Sequence, residues 1–140
     1  LRRGEAGVAI ATAEHLLAID EALLRRGLDA GELRSSAQLR SVDAHDALDA
    51  FMNEHGPDEA RFDAFAAGLL GEASAAFPAV RVFGETTALL VRRGSVEQAD
   101  RVEGLWSRLR ARRSCTLSCA YPIALFADEV PGNTYSRYSN

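Results

Sequence analysis

Apolar residues fall in two rhythms along this chain, and the change of rhythm marks its elements. Gly7 to Thr12 is apolar on both faces and partly β-branched, which predicts a buried strand of a parallel sheet. Leu16, Ile19, Asp20, Leu23 and Leu24 then keep helical spacing, with Thr12 placed to cap and Gly27 to stop the helix. The polar stretch from Leu28 to Ser36 reads as a connector, and Gln38 to Val42 as a second strand interrupted by Arg40 and Ser41. Asp43, with Asp46 three residues on, predicts the start of a helix from Ala44 to about His55. Gly56-Pro57 ends that helix, and Pro57 suits the opening of the next.

The clearest helix carries one apolar stripe, Phe62, Phe65, Ala66, Leu69, Leu70, Ala73 and Phe77, with Asp58 and Glu59 in its first turn. Pro78 blocks its continuation, and Val80 to Phe83 is a third strand. Gly84-Glu85-Thr86 turns into a short helix that ends near Gly94. Ser95 and Gln98 have the spacing of a capping box. The helix they open buries Ala99, Val102, Leu105, Trp106 and Leu109, and Arg108, Arg110, Arg112 and Arg113 crowd its end. Thr116 to Tyr121 is the fourth strand, Pro122 to Phe126 a helical turn, and the rest an aperiodic arm. Strands alternating with helices predict a three-layer α/β fold, a mostly parallel sheet with helices on both faces.

Composition narrows the chemistry. The chain has 140 residues, 47% of them hydrophobic, which suffices for one domain with a real core. The formal net charge of -4 gives no basic face for direct nucleic-acid binding. No apolar run reaches the roughly 18–20 residues of a membrane span. All 16 basic residues are Arg, so Schiff-base and phosphate-loop lysines are excluded within this chain. With 25 Ala residues, that bias reads as codon usage. Two cysteines and no secretory segment point to the cytoplasm, and the start at Leu1 reads as a fragment.

Ligands in such folds gather at the carboxyl ends of the strands. There the sequence places Thr12 to His15, Asp43 to His45, Gly84 to Thr86 and Cys119 to Pro122. Neither GxxxxGK[ST] nor GxGxxG occurs, so no nucleotide cradle follows the first strand. Cys115 and Cys119 are roughly 13 Å apart on a strand, too far for a disulfide or a shared metal. His15, His45, Glu85 and Cys119 can meet at the sheet edge but lack a metal spacing signature, and no metal or cofactor is expected. Cys119 beside a His could be a nucleophile, although a free Cys is more often buried packing. Glu85 either projects into a pocket or only complements a helix dipole. Tyr121 could offer a ring and hydroxyl to a ligand, or pack.

Several phrases then follow one another in order. They are Arg3-Gly4-Glu5-Ala6, Ala11-Thr12 with Glu14-His15, Val42-Asp43-Ala44, and Pro57-Asp58 with Arg61-Phe62. Phe83-Gly84-Glu85, Glu103-Gly104-Leu105-Trp106 and Cys119-Ala120-Tyr121-Pro122 complete the set. Together they resemble the MEDS domain, the sensory domain of methanogens, methylotrophs and the dichloromethane-responsive repressor. The resemblance spans about residues 1–128, leaving 129–140 as tail or linker. It implies a RecA/KaiC-like fold that has lost its phosphate loop, and a non-catalytic sensory role toward small hydrocarbon derivatives. It also implies a histidine-kinase, anti-sigma-like or DNA-binding output module. Family members begin with a further strand and helix, so one sheet strand is expected to be missing here or supplied by a partner. Thr86 and Ser118 are more polar than the family pattern.

The expectation is therefore a sensory module that binds a small organic molecule through His15, Asp43, Glu85, Cys119 and Tyr121. Two alternatives stand beside it: a ligand-free interaction or homodimerisation module, and an enzyme using Cys119 with a His.

Overall fold

The computed structural model describes residues 4–120. Tyr121, the turn expected at 122–126 and the tail lie outside them. Four strands, β1 (Glu5–Ala11), β2 (Leu39–Asp43), β5 (Ala79–Gly84) and β6 (Cys115–Cys119), form one sheet in the order β2-β1-β5-β6. Every pairing in it is parallel. β1 has neighbours on both sides, which is why its sequence is apolar at nearly every position. β6 is an edge strand whose burial alternates, with Thr116 and Ser118 exposed.

Helices lie on both faces. On one side α3 (Ala44–Phe51), α4 (Glu59–Ala76), α5 (Thr86–Arg92) and α6 (Val96–Arg112) enclose the core with Val8, Ile10 and Val82. The expected stripe of α4 packs there, with Phe62, Ala66, Leu69, Leu70 and Ala73 buried and Phe65 half-buried. The rings of Phe51 and Trp106 meet Phe62 edge-on, with centroids 5.3 and 4.9 Å away. On the other side α1 (Ala13–Arg25) and α2 (Ala30–Ser35) lie against β1 and β2. Leu16, Ile19 and Leu23 of α1 are half-buried, while Leu24, expected on the same stripe, is exposed.

Four local expectations are corrected. The connector from Leu28 to Ser36 contains α2, because Asp29 accepts a hydrogen bond from Glu32 N and caps it, and Leu33 anchors it. The helix expected to reach His55 stops at Phe51. Asn53 accepts from His55 N there, Gly56 takes φ +106°, and a small antiparallel hairpin forms from β3 (Met52–Asn53) and β4 (Gly56–Pro57). Arg101 clamps it by donating to the carbonyls of His55 and Pro57, 3.0 Å each. Ser95 occupies the N-cap position of α6 and Thr12 that of α1, but neither side chain makes a capping hydrogen bond.

Candidate functional site

Parallel register brings three strand ends together. Ala11 lies opposite Asp43, and Ile10 opposite Gly84. The residues that follow these ends, at the starts of α1, α3 and α5, wall a cleft of about 380 Å³. That volume lies in the usual range for small-molecule sites. His15, Asp43 and Glu85 all line it.

Glu85 is the centre of the arrangement. It is only 7% exposed, yet both carboxylate oxygens are engaged. Oε2 accepts from the backbone N–H of Thr12 at 3.0 Å, and Oε1 lies 2.6 Å from His15 Nδ1. With the carboxylate ionised, Nδ1 carries the hydrogen and the half-exposed imidazole is held by its inner nitrogen. Glu85 stands at the N-cap of α5 but makes no capping bond to its own helix; its bonds cross to α1. The carboxylate thus lines the cleft and ties two strand ends together.

Asp43 caps α3, its Oδ1 accepting from His45 N at 2.8 Å and Asp46 N at 3.4 Å. His45 lines the cleft too, and its Nδ1 accepts from Arg93 Nη2 at 3.0 Å, since a guanidinium can only donate. Arg92 stands at the rim, and the buried Ala88 and Leu89 supply an apolar wall. The sequence places His45 among the strand-end residues but does not point to Arg92. The signal was present: Ala88, Leu89 and Arg92 follow Glu85 at helical spacing, so a helix opening at Glu85 puts all four on one face.

Cys119 is the residue that departs from expectation. It pairs with Gly84 at the same sheet edge but does not line the cleft. Its thiol hydrogen-bonds Glu103 of α6 and Thr87 of α5 instead. Burial first, and then the neighbouring Glu103 carboxylate, push the thiol pKa up to about 12. A thiol so held is protonated at neutral pH, the opposite of an activated nucleophile. Among the described residues no group of three or more His, Cys, Asp or Glu could hold a metal ion, His15, His45, Glu85 and Cys119 included. No helix among those residues is long and apolar enough to cross a membrane.

No curated protein and no solved structure matches the chain. The model of one family, described as the methanogen/methylotroph, DcmR sensory domain (MEDS), matches residues 1–133. That match runs across the whole sheet and every wall of the cleft, and the chain belongs to the MEDS family of sensory domains.

Proposed function

We propose that this domain is a receptor for a small organic molecule, bound in the cleft at the carboxyl edge of the sheet, and that it acts by binding and not by catalysis. The observation that carries this reading is the His15–Glu85–Thr12 linkage inside the cleft. A buried carboxylate costs free energy unless its partners are fixed, so it gives the cleft wall a defined arrangement that a guest can accept or disturb. The cleft suits a molecule with an apolar body against Ala88 and Leu89 and a hydrogen-bonding head toward His15, Asp43 or Arg92. A signal requires different affinity for two conformations, and contacts to both α1 and α5 offer that difference. The output module is a kinase, an anti-sigma-like protein or a DNA-binding domain, in keeping with a sensory family.

Thermal unfolding against a panel of small organic molecules tests the proposal. A ligand at a hundred times its Kd adds about 2.7 kcal/mol of stability, a shift of several degrees for a domain of this size. Arg92→Ala and His15→Ala should abolish that shift while the unliganded protein stays folded. A panel without any shift, or one that survives both substitutions, overturns the cleft as receptor site.

A second reading has one observation in its favour. Leu17 and Leu24 of α1 are 67% and 68% exposed, an apolar pair that suits a partner or a second copy. Sedimentation that shows a stable dimer indifferent to every ligand supports it over the first.

A further inference from the structure

The helices of this domain are not equally well seated. α3, α4, α5 and α6 each bury several side chains, whereas α1, thirteen residues long, buries none. Beneath it an apolar groove of about 250 Å³ lies between Ile19 and Leu23 on the helix and Ala9 and Phe83 on the sheet. An element with so few buried apolar contacts belongs to the readily opened part of a structure. Among the described residues, two side-chain tethers hold it. Asp20 receives Arg34 Nη2 at 2.7 and 2.9 Å, but both side chains are about one-third exposed, and such pairs hold weakly. The His15–Glu85 bond is the stronger tether, because the carboxylate is buried and its other oxygen is already taken. At the far end Gly27, at φ +76°, closes the helix: its N–H donates to the carbonyl of Leu24 and that of Leu28 to the carbonyl of Leu23, at 2.9 and 3.0 Å.

We infer that α1 is a loosely seated cover on the sheet and that the His15–Glu85 hydrogen bond is its latch. This rests on the receptor reading of the cleft, because His15 and Glu85 are both cleft walls. A guest that takes over either hydrogen-bonding partner releases the first turn of α1, and the helix, still joined to β1 through Thr12, loosens over the apolar groove. The remaining helices, held by the core, keep their places.

Amide hydrogen exchange on the full 140-residue chain, with no ligand present, tests the latch. His15→Ala should speed exchange across Leu17 to Arg25 by about tenfold or more, the usual effect of losing a bond to a charged group. Amides of Val8, Ile10 and Leu70 should keep their rates. Alanine favours helix more than histidine does, so faster exchange in α1 cannot come from lost propensity. Asp20→Ala should change the same amides by no more than about fivefold. An unchanged α1 in His15→Ala, an equal rise throughout the chain, or an Asp20→Ala effect as large as that of His15→Ala each overturns the latch. The ligand panel tests the receptor reading separately, so either can fail alone.

Discussion

Glu85 shows how one buried carboxylate can organise a site. Removing it with Glu85→Ala leaves the Thr12 N–H without its acceptor and should cost about 2 kcal/mol, read as a lower urea midpoint at unchanged slope. Glu85→Gln keeps an oxygen for Thr12 and should cost less than half of that. Cys119 makes a second prediction at this scale. With its thiol pKa at about 12, alkylation in the folded protein at pH 8–9 should run two to three orders of magnitude slower than in the urea-unfolded chain. The same shift has a sign for stability: the raised folded value leaves its contribution intact below about pH 9 and removes it as pH climbs toward 12. The alkaline loss of stability should therefore be shallower in Cys119→Ala. The sequence identified both residues but not their roles. Glu85 reads locally as a helix-start charge, and nothing within a few residues of it announces that its bonds go to Thr12 and His15.

At the scale of elements, the long apolar rhythms were legible and the short polar devices were not. The four strands and the helices α1, α4, α5 and α6 stand where hydrophobic spacing puts them, because burial against the sheet sets that spacing. α2 and the β3–β4 hairpin escaped because they rest on a cap, an Asn side chain, a left-handed glycine and an arginine clamp from distant α6. Caps can be ranked accordingly. Asp58 accepts from Arg61 N at 2.8 Å, so Asp58→Ala should cost about 1 kcal/mol in chemical denaturation. Ser95→Ala should change stability by only a few tenths of that, since no capping bond is lost. Glycines divide the same way. Gly68, inside α4 with nothing within 4 Å of an added Cβ, should gain about 0.5–1 kcal/mol as alanine. Gly56→Ala should lose stability, because its backbone is left-handed and the new Cβ would stand 2.7 Å from Arg101 Nη1.

Across the whole molecule, alternation of strand and helix was enough to foretell a parallel sheet with two covered faces, as right-handed crossovers leave few other arrangements. Strand order and the unequal covering of the two faces follow from tertiary packing, which periodicity does not encode. The better-covered face carries the stability. Phe62 is fully buried between Phe51 and Trp106, and Phe62→Ala should cost about 3–5 kcal/mol, a large part of the total for one domain. Tryptophan fluorescence should report that loss directly, because Trp106 is only 2% exposed.

The central place of β1 has a consequence for how the protein is made. The strand leaves the ribosome before either of its flanking partners, and one of them, β5, is encoded only at Ala79–Gly84. At about 5–20 residues per second, the nascent chain waits roughly 4–15 s with one side of its most apolar ribbon unpaired. During translation that side is the segment of this domain most in need of a chaperone.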